Sequence, residues 1–222
     1  MSKAVVLLSG GMDSTTVLAL AQYLDNDVHA LSFNYGQRHR TELISASVIA
    51  QHFNVPHTII DLSGSRIFSG SDSSLVNPDV KVPEGHYADE SMKGTVVPNR
   101  NMMMLSIAAA FAISNGTEQI FYGAHAGDHA IYPDCRPQFV KAMQKALELC
   151  DWKQVKLVVP FLNQSKADIV TKGHSLHVPW DMTYSCYKGA KGVHCGVCGT
   201  CTERREAFFD AGVTDPTVYE NT

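Results

Sequence analysis

The chain has 222 residues, 45% of them hydrophobic and 18% charged, with a formal net charge of -4 and a pI near 6.2. That length suffices for one full domain plus a small appendage, and the acidic balance excludes the broad basic face that sequence-independent nucleic-acid binding needs. No apolar stretch reaches the ~18 residues of a membrane helix, and Met1 to Val6 runs straight into a strand-like pattern, so the cytoplasm is the expected compartment and no membrane partner is expected.

Taken in chain order, Val5 to Leu8 is a short apolar run bounded by Ser9-Gly10-Gly11, which suits a buried parallel strand. Val17, Leu18, Leu20, Ala21 and Leu24 recur at helical spacing and predict a helix over 14–24. A strand over 28–33, a helix over 42–53 and a strand over 57–61 follow. From Leu62 to Val97 the pattern breaks up, with frequent Ser, Gly, Pro and Asp, and a stretch of that length is expected to be disordered or a functional lid. Asn101 to Ile113 is nearly all apolar and predicts a buried helix. A strand over 119–123, a helix over 138–149 and a strand over 155–159 come next, then a short helix over 165–173 ending at Gly173. This alternation predicts an α/β fold, a doubly wound and mostly parallel sheet with helices on both faces, over 1–179. The remainder, 180–222, is rich in glycine and cysteine before a helix over 202–211, and predicts a small metal-binding region packed on the sheet domain.

Ser9-Gly10-Gly11-Met12-Asp13-Ser14 joins the first strand to the first helix, where open parallel sheets bind ligands. Glycines let backbone approach a ligand closely, and the helix start offers free N–H groups and a positive dipole end, which together make an anion site. Ser9, Ser14 and Thr15 can add hydroxyl donors. The loop lacks the Gly-Lys-Ser/Thr ending of a Walker loop and the Gly-x-Gly-x-x-Gly dinucleotide fingerprint. As a plain turn, it would instead use Asp13 or Ser14 as a helix cap.

Six cysteines are too few for a disulfide scaffold, but Cys195, Cys198 and Cys201 sit at two-residue gaps with Cys186 upstream. Four thiolates give a closed tetrahedral zinc site, structural rather than catalytic. An iron–sulfur cluster is the rival occupant, because ferredoxins also carry Cys-x-x-Cys-x-x-Cys. Cys135 and Cys150 are not expected as ligands, and Cys150 reads as a helix-end packing residue. Arg38, Arg100, Arg136 and Lys166 fall in or beside loops at the binding edge of the sheet, where they suit phosphate or carboxylate. Asp13 and Asp128 could help hold magnesium. His125 and His129 lie four apart, but the Glu of a His-Glu-x-x-His helix is missing, which argues against metal there.

The Ser-Gly-Gly-x-Asp-Ser loop resembles that of the N-type ATP pyrophosphatases. Within that superfamily, Tyr35-Gly36-Gln37-Arg38-His39, Pro98-Asn99-Arg100-Asn101, Tyr132-Pro133-Asp134-Cys135-Arg136 and the terminal cysteines resemble the 7-cyano-7-deazaguanine synthases, across essentially the whole chain. The resemblance implies that Leu8, Ser9, Gly10, Gly11, Met12, Asp13, Ser14 and Thr15 bind ATP with Mg2+, and that Asp13, Arg100 and Lys166 serve the chemistry. It implies that Arg38, Asn101, Asp128, Asp134 and Arg136 contact 7-carboxy-7-deazaguanine, ammonia being the other substrate, in a homodimer with no stable nucleic-acid partner. Ser165-Lys166-Ala167-Asp168 resembles the second phosphate-contacting segment of the superfamily. The chain departs from the family pattern at two places. Pro-Gly-Arg-Asn is here Pro98-Asn99-Arg100-Asn101, and Val-Cys-Glu-Thr-Asp-Phe is Ala124-His125-Ala126-Gly127-Asp128-His129, which bears on the exact substrate and end product. The implied reaction adenylates a carboxylate, forms the amide with ammonia, then adenylates the amide on the way to the nitrile. Stopping at the amide, use of a related acid, and tRNA modification are the alternatives. No covalent nucleophile is required, and no Ser-His-Asp or Cys-His arrangement supplies one.

Overall fold

The computed structural model describes residues 2–24, 26–87, 90–189 and 192–220. Strands β1 (Lys3–Leu7), β2 (Asp27–Asn34), β3 (His57–Asp61), β4 (Gln119–Phe121) and β5 (Lys156–Val158) form one sheet in the order β3-β2-β1-β4-β5. Every pairing is parallel. β1, β2, β4 and β5 alternate their apolar side chains between two cores, while the edge strand β3 packs Ile60 on one and leaves Ile59 exposed. Val5, Leu31 and Ile120 face one, while Ala4, Val6, Ala30 and Phe121 face the other. Burial on both faces is why these strands read as continuous apolar runs rather than as alternation.

The helices α1 (Met12–Tyr23), α2 (Thr41–His52), α3 (Arg100–Ser114), α4 (Pro137–Leu147) and α5 (Lys166–Ser175) cover the two faces. α3 and α4 pack on the Val5 side, and α1, α2 and α5 on the other. The chain winds outward from β1 through β2 to β3, then returns across β1 to β4. The crevice that this reversal opens at the carboxyl ends of β1 and β4 is where such sheets bind ligands.

Four sequence expectations change. α3 buries only the stripe Met104, Leu105, Ala108, Ala109 and Ala112, leaving Met102 45% exposed, because it covers one sheet face with its back to solvent. Gly173 does not end α5. A Cβ there would lie 2.3 Å from Trp180 Cη2 and 2.8 Å from Thr16 Oγ1, so the glycine admits close packing, and the left-handed His177 follows the helix end instead. The described residues of 62–97 are folded rather than disordered: Ser73, Ser74, Leu75, Tyr87, Met92 and Thr95 are buried, and Leu75 and Tyr87 join the cleft wall. Cys150 is exposed.

The tail ends in helix α6 (Gly199–Asp210), which packs on α5 through Val170, Val178, Trp180, Ala207 and Phe208. Arg204, fully buried on α6, locks it there. Its guanidinium donates to Thr183 Oγ1 (2.7 Å) and Trp180 O (3.1 Å) and pairs with Asp215 (3.2 Å). Among the described residues, no helix is long and apolar enough to cross a membrane.

Candidate active site

The glycine loop is shaped by what surrounds it. Gly10 has φ +88, and a Cβ on it would lie 2.2 Å from Glu42 O at the start of α2. Only glycine fits there. Gly11, not Asp13 or Ser14, is the N-cap of α1, in extended geometry and with no side-chain cap. The first N–H groups of α1 therefore remain without a side-chain acceptor. Ser14 Oγ accepts the Ser9 N–H at 3.1 Å and donates to Gly11 O at 3.1 Å, folding the loop over the helix start. Gly123, beyond β4, sits close to Asp13 and Ser14 and closes the crevice from the other strand.

Lys166 opens α5, placed there by a capping box in which Ser165 Oγ accepts the Asp168 N–H and Asp168 accepts the Ser165 N–H. Its ammonium lies 2.8 Å from Asp13 Oδ2, 3.0 Å from Glu203 Oε2 and 3.2 Å from His125 Nε2. Burial alone would lower the Lys166 pKa, but Asp13 and Glu203 hold it above its ordinary value. Lys166 is thus a fixed positive charge, not a proton acceptor. Burial alone would raise Asp13, yet Lys166 and His125 hold it below the usual range. Asp13 Oδ1 is buried without a partner. His125 Nδ1 accepts the Gly127 N–H, which turns Nε2 toward Asp128 Oδ1 at 3.5 Å. His129 does not converge with it, because residues 126–130 form a 3-10 turn, and at three residues per turn the i+4 side chain points ~120° away.

An open cleft of about 240 Å³ runs from this cluster past the loop residues Leu8, Ser9, Gly11, Met12, Asp13 and Ser14. Tyr35, Glu42 and Arg100 line its other end. Arg100 donates to Tyr35 Oη (3.3 Å) and to Asn101 Oδ1 (3.2 Å). Glu42 accepts one hydrogen bond, from Gln37 Nε2 at 3.0 Å, and burial raises its carboxyl to about 7 against the pull of Arg100. Between the ends, Tyr122 Oη meets Cys135 Sγ at 3.2 Å. Burial pushes that thiol well above its ordinary pKa, so it is an uncharged wall group rather than a nucleophile.

The tail forms the remaining wall and a metal-competent centre. The sulfurs of Cys186, Cys195, Cys198 and Cys201, all buried, lie within 4.8 Å of one another. Two of these separations are 3.9 Å and 4.0 Å, close to the ~3.8 Å edge of a tetrahedron with metal–sulfur bonds of ~2.3 Å. Backbone N–H groups of Gly189 (2.9 Å) and Cys195 (3.3 Å) donate to Cys186 Sγ, and that of Cys198 donates to Cys195 Sγ (3.3 Å), as thiolates favour. Among the described residues, this is the group of side chains arranged to hold a metal ion.

The family model "Queuosine biosynthesis protein QueC" matches residues 3–212. The chain is 54% identical to the 7-cyano-7-deazaguanine synthase of Methanoregula boonei, over 98% of this chain and 99% of that one. It is 52% identical to the enzyme of that name from Caldicellulosiruptor bescii, over 98% and 97%. This chain belongs to the QueC family. Its fold is shared more widely. The U34-tRNA thiolase NcsA of Methanococcus maripaludis, solved with its [4Fe-4S] cluster, superposes with TM-score 0.52 at 15% identity, covering 93% of this chain and 64% of that one. The NMN synthetase of Francisella tularensis does so with TM-score 0.52 at 14% identity, covering 96% and 78%.

For a QueC-family enzyme, the expected contact residues divide into two groups. Asp13, Arg100, Asn101, Asp128 and Lys166 line the cleft. Arg38 and Arg136 do not. Each follows a residue that points inward, Gln37 or Cys135, so its own side chain turns to solvent and binds a carbonyl, Val80 O (3.1 Å) or His129 O (2.8 Å). Asp134 accepts the Asn101 N–H at 3.2 Å and so serves the start of α3. Gly10 and Thr15 shape the loop from behind, with Thr15 Oγ1 bound to Gly11 O at 2.8 Å. Asn99 has φ +55. Asparagine tolerates that left-handed conformation, which explains how it stands where the family pattern has glycine. Sequence reasoning missed Glu42 and Glu203. Glu42 lies three residues past the Tyr35–His39 motif, where a first-turn acidic residue reads as dipole complement. Glu203 is 37 positions from Lys166, and nothing local marks the contact.

Proposed function

We propose that this chain converts 7-carboxy-7-deazaguanine, ammonia and ATP to 7-cyano-7-deazaguanine, with AMP and pyrophosphate as by-products. The observation that carries the reading is the glycine loop with Asp13 and Lys166 at one end of a cleft whose other end presents Arg100. ATP phosphates would lie on the free N–H groups of α1, beside the fixed charge of Lys166. The buried, unpartnered Asp13 Oδ1 fits a Mg2+ ligand, and Mg2+ would neutralise charge on the departing pyrophosphate. Arg100 would hold the substrate carboxylate so that one oxygen attacks the α-phosphorus and the bond to pyrophosphate breaks. Ammonia then displaces AMP to give the amide. A second adenylation, on the amide oxygen, lets AMP leave with loss of a proton and forms the nitrile. Positioning and electrostatics carry these steps, since Cys135 is no nucleophile.

The four cysteines would hold Zn2+ as a structural ion. Sulfur separations within 4.8 Å support a single ion, because a four-iron cube would hold its thiolates farther apart. In this reading 1–179 is the catalytic unit and 180–222 the zinc-binding region, in a cytoplasmic homodimer. Incubation of zinc-loaded protein with ATP, Mg2+, ammonium and 7-carboxy-7-deazaguanine should yield nitrile, AMP and pyrophosphate by mass spectrometry. Absence of AMP release would overturn the reading, and accumulation of amide alone would move the end product one step back.

A further inference from the structure

We propose that Glu203, carried by the four-cysteine tail, is the positioning residue that holds Lys166 for phosphate contact. The inference rests on the reading of Lys166 as a phosphate-binding group. A lysine side chain has four rotatable bonds and loses rotamer entropy when fixed, so a phosphate-contacting lysine needs a holder. Two carboxylates meet its ammonium, from distant parts of the chain: Asp13 accepts a hydrogen bond at 2.8 Å, and Glu203 forms an ion pair at 3.0 Å in which Oε2 takes no aligned hydrogen bond. Asp13 lies in the glycine loop and shares its duty with any Mg2+ that comes with ATP. Glu203, unlike Asp13, is not among the described residues that line the cleft, and its own place is fixed from three sides.

Cys201, two residues earlier, is anchored in the thiol cluster, with Sγ 4.0 Å from Cys195 Sγ. Arg204, the next residue, is fully buried and bound to Thr183, Trp180 and Asp215. Opposite, Gly127 leaves room for the carboxylate. A Cβ at that position would lie 3.0 Å from Glu203 Oε1 and 2.9 Å from the His125 ring. Glu203 is thus a rigid strut between the thiol centre and the lysine, and the otherwise separate tail becomes part of the phosphate site.

The sign of the effect separates this role from simple charge. Glu203 is a negative group near the place the triphosphate would occupy, so if it acted only through its charge, removing it would tighten ATP binding. If it positions Lys166, removal weakens ATP use although repulsion has fallen. Glu203→Ala removes both contact and charge, whereas Glu203→Gln removes the charge and keeps an oxygen that can accept from Lys166. The expected result is a fall in kcat/KM for ATP of about tenfold to a hundredfold in Glu203→Ala, with partial recovery in Glu203→Gln.

KM for the carboxy-deazaguanine should not change, and zinc content per chain should equal that of the wild type. In a Lys166→Met background, Glu203→Ala should add nothing further. ATP affinity, measured by the ATP-dependent rise in melting temperature, should fall in parallel. Equal or tighter ATP use in both variants, or additive losses with Lys166→Met, would overturn the inference. A wild-type chain that releases no AMP would instead overturn the functional reading, and the melting-temperature shift with ATP would still test the strut. If Glu203→Ala fails to fold, Glu203→Gln alone decides, by the same loss or gain of ATP affinity.

Discussion

At one end of the cleft Lys166 touches Asp13 at 2.8 Å and Glu203 at 3.0 Å, whereas at the other end Arg100 and Glu42 line the wall without an ion pair to any described residue. The first end holds its charge as a closed cluster, in which Asp13, Asp128 and Glu203 surround one lysine and one histidine. Such a cluster is preorganised, and Asp13 and Asp128, its carboxylates on the cleft, would suit a divalent cation. The second end holds its charges apart. Arg100 leans on Tyr35 and Asn101, and Glu42 on Gln37, so both remain open to a ligand with its own donors and acceptors. In the proposed function the closed end would take the triphosphate and the open end the carboxy-deazaguanine. A triphosphate is recognised by charge that is already fixed, and a polar heterocycle by groups whose bonding is incomplete.

The largest expected effect concerns how the tail delivers Glu203 to the closed end. Arg204→Ala would leave Asp215 without its buried partner and loosen α6, and should cost ~3–5 kcal/mol in denaturant unfolding. A cost under ~1 kcal/mol would mean that the thiol centre alone holds the tail.

Lys166→Met should leave zinc content intact while lowering kcat/KM for ATP by about a hundredfold to a thousandfold. A loss confined to the carboxy-deazaguanine KM would instead place Lys166 at the substrate end.

A subtler effect should appear at the open end. Burial holds Glu42 protonated up to about pH 7 in the folded chain, against an ordinary value of 4.5. Between those values the native state binds the proton that the unfolded state has lost, so this group makes stability fall as pH rises through that window and then level off. Glu42→Gln should therefore gain stability over the wild type progressively from about pH 4.5 to 7, by ~1–3 kcal/mol in all. A difference that stays flat with pH would show that Glu42 titrates normally. The smallest effect is expected at the two arginines that turn outward: Arg38→Ala and Arg136→Ala should stay within ~0.5 kcal/mol in stability and leave both KM values unchanged. A large rise in the KM for the carboxy-deazaguanine would bring either back into the cleft.

The sequence by itself determined the features whose physics is local. Two glycines after an apolar strand specify a tight anion-binding turn, and the alternation of strands and helices specifies a parallel sheet. Four cysteines at short gaps specify a metal-competent cluster, because backbone turns alone can bring them together. Only the tertiary structure decided what depends on distant segments meeting. It brought Glu203 to Lys166 and Glu42 to the ligand wall, and turned Arg38 and Arg136 outward because their neighbours point in. It also made the described residues of 62–97 a folded wall, although their composition reads as loop, since Leu75, Met92 and Thr95 find burial only against the rest of the chain. Pairwise burial and charge have no signature along a chain when the partners lie dozens of residues apart.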